Sequence, residues 1–384
     1  MKKSIFKSAL MLFCAGLLFV SCSDDKNEPD STSLDAYKKA LLTQYVNGVV
    51  VPTYKSLADE SIALSELCTR LADSPSQSLV QQACDKWIEA RKYWELSEAF
   101  LFGAAGDYYI DPHIDSWPLQ KDKLDGVLAN AALIAELKED GASADGFASL
   151  GYGLLGFHAI EYVLFRDGHA RNVSDINENE LIYNAAVAED LANQTARLEA
   201  AWAGFDNVSA KKQQMLDDAE LKPSFNYGEA MINAGLPGNV SYKTQLDAMV
   251  ELMQGASDIT DEVANTKMQD PIDSQNVLDV ESWYSWNSYA DFTDNLRSVR
   301  NAYYGSINGS VNSNSIASFM AKNYPSQDNA VRKALGEAIS AMEALSADKN
   351  EPFRNHLDAA YNKEAQDACN ALLKELDLAI EAIQ

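Results

Sequence analysis

Cysteine and histidine, the side chains from which structural zinc sites are built, are scarce in this 384-residue sequence. There are five cysteines and four histidines. No cysteines form a CxxC pair, and none stands near a histidine at the spacing that tetrahedral zinc sites use. This scarcity argues against a zinc-finger or zinc-ribbon protein.

Basic side chains are also few. The sequence has 31 Lys and Arg residues against 57 Asp and Glu residues, and the formal net charge at pH 7 is −26. A field of this sign repels phosphate backbones and anionic lipid headgroups, and it attracts cations. We therefore expect no nucleic-acid partner, and a metal ion is the kind of ligand that the charge favours.

Long apolar runs are missing except at the N-terminus, where residues 5–20 are mostly apolar and three lysines lie within the first seven residues. A permanent membrane-spanning helix needs about 20 residues, so this shorter stretch predicts a signal peptide over residues 1–22. The Phe-Val-Ser sequence before Cys22 is typical of a lipobox, which predicts lipidation at Cys22 after cleavage. The alternative is an ordinary signal peptide in which Cys22 is incidental.

Residues 23–33 are polar, rich in acidic side chains and contain Pro29, which predicts a disordered tether. The tether resembles those of Bacteroidetes outer-membrane lipoproteins, which implies a location on the periplasmic face or the cell surface. Membrane contact is expected through the lipid anchor alone. Beyond the signal peptide, 28 basic residues face 57 acidic ones, so the mature chain carries a formal charge of −29.

Three cysteines remain in the mature chain if Cys22 is acylated. Cys68 and Cys84 flank the turn at 73–76 almost symmetrically, so an antiparallel helix pair would place them at similar height. The cell envelope permits disulfides, and a disulfide between them and two buried thiols are both open alternatives. Cys369 lies on the apolar face of the last helix and is expected in the core.

Apolar residues recur at helical spacing through most of the chain, and no alternating apolar and polar run predicts a strand. The pattern predicts an all-α fold of two helical bundles, residues 34–225 and 240–384, separated by a stretch rich in Pro and Gly. The helices are expected near residues 35–72, 79–94, 120–139, 150–166, 178–205, 241–268, 282–304, 326–346 and 361–383.

His158 and Glu161 interrupt an otherwise apolar helical segment. Their spacing of three places both side chains on one helix face, where they could converge on one ion or on each other. Burial of either side chain without a partner would be costly. A metal site and a hydrogen-bonded pair that ties two bundles together are both open interpretations. The pattern is not the HExxH of a zinc protease.

A second acidic cluster comes from Glu95 and Glu98, three apart on one helix, and from Asp115 in a following loop. Together with His158 and Glu161 these side chains would form an oxygen-rich site with one imidazole, a set that suits iron, manganese or zinc. Glu95 could instead pair with Arg91, four residues earlier. The other histidines are expected in solvent rather than in the site: His113, His169 and His356.

The segment Gly156-x-His158-x-x-Glu161 resembles the GxHxxE signature of the imelysin-like family of bacterial envelope proteins. The resemblance covers nearly the whole mature chain and extends through residues 87–103, 114–118, 261–263, 281–285 and 291–305. It implies two helical bundles with the signature near their junction.

Related domains occur in periplasmic iron-uptake proteins. The resemblance to them implies a site for Fe or Zn ions made by Glu95, Glu98, Asp115, His158 and Glu161. This chain has Trp117 where those relatives have an arginine. The family is also classed among metallopeptidases.

Three functions are therefore consistent with the sequence. The first is a metal-binding envelope lipoprotein that serves iron acquisition, with an envelope protein partner that the sequence does not identify. The second is a metallopeptidase, which needs an open metal position, a water and a general base. Glu161 cannot serve both as ligand and as base. The third is a non-catalytic binding or scaffold lipoprotein whose polar cluster locks two bundles together.

Overall fold

The computed structural model describes residues 31–139, 142–347 and 352–384. The predicted signal peptide, the predicted lipidation site Cys22 and most of the predicted tether lie outside these residues. The first helix begins at Ser31, so the last three residues of the predicted tether are helical.

The N-terminal half is built around three long helices, and the first of the three in sequence packs along the other two. Side-chain caps fix where two of these helices begin: Ser76 accepts a hydrogen bond from the backbone of Leu79, and Asn177 forms a capping box with Glu180. The helices of this half are α1 (Ser31–Tyr45), α2 (Val51–Asp73), α3 (Gln77–Glu95), α4 (Ala104–Asp107), α5 (Ile110–Ile114), α6 (Lys121–Ala129), α7 (Ala131–Glu136), α8 (Gly156–Leu164), α9 (Glu178–Ala203), α10 (Ala210–Asp218) and α11 (Tyr227–Ile232).

The C-terminal half is a second set of packed helices. The last two long helices pack against each other. The final helix also contacts the first helix of this half, and the helix before it contacts the third. The helices are α12 (Gln245–Glu262), α13 (Gln269–Ser274), α14 (Ser288–Tyr304), α15 (Ile316–Asn323), α16 (Pro325–Ser346) and α17 (Ala360–Ile383). The all-α fold predicted from periodicity is confirmed.

One continuous apolar core runs through both halves. α3 packs against α14, and a 3₁₀ turn at Glu98–Phe100 packs against both α12 and α14. Ala99 in this turn donates its backbone N–H to Ser298 Oγ at 3.1 Å. The division into bundles 34–225 and 240–384 stays a prediction. What the packing shows is that residues on α3 and in the turn after it face the C-terminal helices.

Several helices differ from the sequence prediction. The segment expected as one helix over 120–139 is broken at Asn130, whose side chain caps α7 by accepting from Leu133 N. The helix expected over 150–166 begins only at Gly156, and that expected over 282–304 begins only at Ser288. The short helices α10, α11 and α15 were not predicted. Their few apolar positions are too short a signal for helical periodicity.

Short irregular elements complete the chain. Phe165–Arg166 (β1) and His169–Ala170 (β2) form a small antiparallel hairpin, which the sequence did not predict. Two π-helical segments interrupt long helices, at Val46–Val50 and Val263–Lys267. Further 3₁₀ turns lie at Ala144–Ser149, Tyr152–Leu154, Val173–Asp175, Phe205–Asn207, Val277–Asp279 and Phe353–Asn355. Within the described ranges, no helix has the length and apolar character to cross a bilayer.

Cys68 and Cys84 are free thiols in the structure, the second of the two alternatives that the sequence left open. Asn184 Nδ2 donates to Cys68 Sγ at 3.2 Å, and Cys84 Sγ donates to the carbonyl of Leu164 at 3.6 Å. Burial raises the pKa of Cys68 to about 12, so this thiol stays protonated and unreactive. Cys369 is buried, as predicted.

Candidate metal centre

Gly156 allows the signature helix to approach the neighbouring loop closely. Its φ is +68°, and a Cβ at this position would overlap the carbonyl of Ile114. Only glycine combines this backbone conformation with such an approach at low cost. The contact brings the first turn of α8, with His158, beside Asp115.

His158 is held in place by Glu161, one turn further along the same helix. His158 Nδ1 lies 3.1 Å from Glu161 Oε2. The other carboxylate oxygen, Oε1, accepts hydrogen bonds from the backbone N–H and the hydroxyl of Ser285, at 2.8 and 2.7 Å. Both oxygens of Glu161 are therefore engaged, and the carboxylate orients the imidazole from behind, as carboxylates commonly do for metal-binding histidines.

The second ring nitrogen of His158 faces the acidic cluster. Nε2 lies 3.1 Å from Asp115 Oδ1 and 3.9 Å from Glu281 Oε1. In the metal-free protein, Asp115 is therefore the nearest partner of this nitrogen. The Trp117 ring packs against the imidazole with 4.5 Å between ring centroids. Trp117 thus supports the imidazole from the side.

Asp115 joins the signature helix to α3. Its Oδ2 accepts a hydrogen bond from Trp94 Nε1 at 2.6 Å, and its Oδ1 pairs with Arg91 Nη1. Burial alone would raise the pKa of Asp115, but the charges of Arg91 and His158 outweigh it and hold this pKa well below its ordinary value. Asp115 is consequently an anion at neutral pH.

Arg91 is wholly buried and neutralises several carboxylates from different segments. Its Nη2 lies 2.5 Å from Glu95 Oε1 and 2.7 Å from Glu281 Oε1, and its Nε lies 3.5 Å from Asp291 Oδ2. The ion pair with Glu95 that the sequence offered as an alternative is therefore present. The other oxygen of Glu95, Oε2, accepts a hydrogen bond from Asn295 Nδ2 and lies 3.7 Å from Lys267 Nζ. A metal ion bound by Glu95 would therefore share this carboxylate with protein partners.

Lys267 places a second buried cation against the cluster. Its Nζ lies 3.3 Å from Glu281 Oε2, 3.6 Å from Glu98 Oε1 and 3.7 Å from Glu95 Oε2. Burial would lower the pKa of this lysine, but the surrounding glutamates raise it well above the ordinary value. The ammonium is therefore charged.

Burial shifts the protonation of the glutamates. It raises the pKa of Glu95 to about 8, although Arg91 and Lys267 oppose the shift, and it raises that of Glu98 well above its ordinary value. Burial alone would lower the pKa of His158, but Asp115 and Glu161 raise it to about 9. The metal-free cluster thus holds protons at neutral pH that a bound cation would release.

A cavity of about 730 Å³ opens onto this cluster. It offers a route from solvent to Glu98, Asp115 and Glu281. Among the described residues that line it, Lys267 carries the one positive charge. The lining carboxylates are Glu98, Asp111, Asp115, Glu262, Asp270, Asp273, Asp279 and Glu281.

Two overlapping sets of donor atoms could hold an ion. In each set the ligand atoms lie within 4.8 Å of one another: one comprises Asp115, His158 and Glu281, and the other Glu95, Glu98 and Asp115. Four of the five predicted ligands thus belong to one set or the other, and Asp115 is the predicted ligand common to both. Glu161 lies behind the imidazole instead, and Glu281 takes its place in the cluster.

Glu281 was not predicted as a site residue. It precedes a turn without helical periodicity, so its direction could not be derived from spacing. Its inclusion in the matched segment 281–285 was the one signal in the sequence. In the structure Ser288 Oγ donates to the Glu281 carbonyl at 2.5 Å, which helps to fix this loop against α14.

The prediction that His113 lies in solvent was wrong. The side chain is buried, and Nε2 lies 2.7 Å from the buried carboxylate of Asp190. The loop that was expected around it is the short helix α5, which packs against α9. His169 is exposed and His356 is partly buried.

Taken together, the fold and the site define an all-helical protein with a buried cluster of carboxylates and one oriented imidazole, open to an acidic cavity. Such a donor set suits a metal cation. The sequence profile of the Imelysin family matches residues 50–379, and the chain belongs to this family.

Similar proteins include two that carry iron in their names. The chain is 26% identical over 361 residues to iron-regulated protein A of Synechococcus elongatus, covering 94% of this chain and 87% of that protein. A crystal structure of a putative iron-regulated protein A precursor from Parabacteroides distasonis is 27% identical, with a TM-score of 0.78 over 94% of this chain and 98% of the other. An imelysin-like protein from Psychrobacter arcticum, 15% identical, shares the fold with a TM-score of 0.63 over 89% of this chain and 93% of its own.

Proposed function

We propose that this Imelysin-family protein binds a metal ion at the buried cluster and serves iron acquisition. The observation that carries the proposal is the orientation of His158. Glu161 holds Nδ1 from behind, and Nε2 faces the carboxylates of Asp115 and Glu281. A histidine fixed by a carboxylate on one nitrogen and turned toward anions with the other is arranged as a metal ligand.

The donor atoms present fit a cation. His158 Nε2 and Glu281 Oε2 are buried and each faces a charged partner, Asp115 Oδ1 at 3.1 Å and Lys267 Nζ at 3.3 Å. Once His158 loses its proton, both atoms can bind a cation in place of these partners. Carboxylate oxygens with one imidazole suit Fe or Zn ions. The names of two relatives favour iron.

The same cluster also supports the scaffold alternative, because Arg91 joins carboxylates from α3, α14 and two loops. In that role the cluster would fasten helices together with no ion. The two functions differ in one measurable respect. A scaffold retains its polar network without metal, whereas a metal site takes up about one equivalent of ion.

The experiment is metal analysis of the purified chain from Ser23 onward, after incubation with Fe²⁺ or Zn²⁺ and desalting. We expect about one equivalent in the wild type and a loss of most of it in His158→Ala. His169→Ala is the matched control, because His169 is exposed and belongs to neither candidate ligand set. A wild type that folds but retains no metal would support the scaffold function.

We further propose that the protein is a lipoprotein of the outer membrane, anchored through Cys22. The support is the predicted lipobox and the acidic tether that follows it. Metabolic labelling with a radioactive fatty acid should mark the full-length chain and leave Cys22→Ala unmarked. Labelling that persists in the variant would place the anchor elsewhere or show that the label is not specific.

A further inference from the structure

We propose that the ammonium of Lys267 is an internal cation that occupies the cluster in the metal-free protein and has to leave when a metal ion binds. Lys267 thereby lowers the affinity of the site for a metal ion. This inference rests on the proposed metal-binding function and assigns a role in it to a residue that belongs to neither candidate ligand set.

The first observation is the position of the ammonium among three glutamates. Its distances to the nearest oxygens of Glu281, Glu98 and Glu95 are 3.3, 3.6 and 3.7 Å. A close ion pair with one carboxylate has an N–O distance of about 2.7–2.9 Å. Lys267 therefore lies between the carboxylates, much as a shared cation would, and is not paired tightly with any one of them.

The second observation is that the ammonium and an ion would use the same oxygens. Glu95 and Glu98 belong to one candidate ligand set and Glu281 to the other. An ion bound by these side chains would lie about 2 Å from their oxygens. With the ammonium in its present place, two positive charges would lie within a few ångströms of each other. Occupation by Lys267 and by a metal ion is therefore mutually exclusive, or nearly so.

The third observation is that Lys267 has a path out of the cluster. It lines the open cavity together with Glu262 and Asp270, which offer acidic partners outside the two ligand sets. It is the last residue of the π-helical segment Val263–Lys267, which connects α12 to α13. Single π-helical turns of this kind occur frequently at functional sites. The four-carbon lysine stem is flexible, so the ammonium can turn toward the cavity without a change of fold.

The test compares the affinity for Mn²⁺ and Zn²⁺ of the wild type and Lys267→Met by calorimetry. Methionine keeps the length of the stem and removes the charge. We expect binding at least about tenfold tighter in the variant, because a like charge near the ion is gone. Lys267→Arg keeps the charge and should bind no more tightly than the wild type. Lys363→Met, at an exposed lysine, is the control for loss of one lysine.

A second measurement uses the unchanged protein and covers the case in which Lys267→Met does not fold. Reductive methylation, read by mass spectrometry, should modify Lys267 slowly in the metal-free protein and faster once Zn²⁺ is bound. If Lys267 is methylated at the same rate in the metal-free and the Zn²⁺-bound protein, the inference is overturned. An affinity in Lys267→Met that is equal to or weaker than that of a metal-binding wild type would overturn it as well.

The outcomes also separate this inference from the proposed function. If neither the wild type nor Lys267→Met binds metal, the proposed function fails and the inference fails with it. If the wild type binds metal and removal of the charge does not tighten binding, only the role of Lys267 is wrong. If only Lys267→Met binds metal, the ammonium excludes ions as inferred, and the native protein is not a metal carrier under those conditions.

Discussion

Replacing Gly156 with alanine tests how the signature glycine positions the metal centre. In the structure, Gly156 has a φ of +68° and its α-carbon faces the carbonyl of Ile114, which the added methyl group would overlap. Two costs therefore add: the strained backbone of a non-glycine residue and the steric overlap. The overlap matters more for function, because its relief moves α8 away from α5 and His158 away from Asp115.

A second glycine separates the two costs. Gly238 has a φ of +92°, and no atom lies within 4 Å of where its Cβ would be. Gly238→Ala should therefore show the backbone cost alone, about 1–2 kcal/mol of unfolding free energy. Gly156→Ala adds an overpacking cost of about 1–3 kcal/mol, so we expect a total of about 2–5 kcal/mol.

Urea denaturation of both variants, followed by circular dichroism, measures this difference, and metal titration measures the effect on the site. Gly156→Ala should lose more stability than Gly238→Ala and should also bind metal more weakly. Equal destabilisation of the two variants would refute the role of close approach to Ile114. Normal metal binding in a strongly destabilised Gly156→Ala would show that the glycine serves the fold and not the site.

Three further predictions follow from the cluster. The first concerns pH: because the pKa of Glu95 is about 8 in the folded protein and 4.5 as its ordinary value, the metal-free protein should lose stability as pH rises from about 4.5 to 8. Urea denaturation at several pH values should show that the unfolding free energy of Glu95→Gln falls less steeply with rising pH than that of the wild type. The second is that saturating Fe²⁺ or Zn²⁺ raises the melting temperature, since a ligand at 100 times its Kd adds about 2.7 kcal/mol to stability. His158→Ala should abolish this shift and remain folded. The third is that the purified protein shows no chelator-sensitive cleavage of unfolded casein. Cleavage lost in both His158→Ala and Glu161→Ala would instead favour the peptidase alternative.

Helical periodicity predicted the long helices because each has an extended apolar face. In α3, for example, Trp87 and Trp94 are both buried where the spacing placed them. The breaks were not predictable to the same degree. The interruption at Asn130 depends on a local side-chain cap, and the delayed start of α8 depends on the contact of Gly156 with Ile114, which is distant in sequence.

Only part of the candidate site could be predicted from the sequence, for a related reason. Spacing placed His158 and Glu161 on one helix face, but it could not show which of them faces the cluster. That depends on Ser285, 124 residues away from Glu161, which engages one carboxylate oxygen. Glu281 and Lys267 lie on segments that meet α3 only through tertiary packing. Their contribution therefore required the three-dimensional structure.

The acidic wall of the cavity has a consequence for the rate of capture as well as for its strength. Eight acidic side chains and one lysine line the cavity that leads to the cluster, and a predominantly acidic surface can raise the association rate of a cation by roughly 10–10³. Anionic chelates of the same metal would be slowed by the same field. Because the Debye length falls from about 30 Å at 0.01 M salt to about 8 Å at 0.15 M, this sorting by charge acts mainly at the mouth and is strongest in dilute media. The cavity therefore discriminates between free cations and negatively charged complexes before any ligand bond forms.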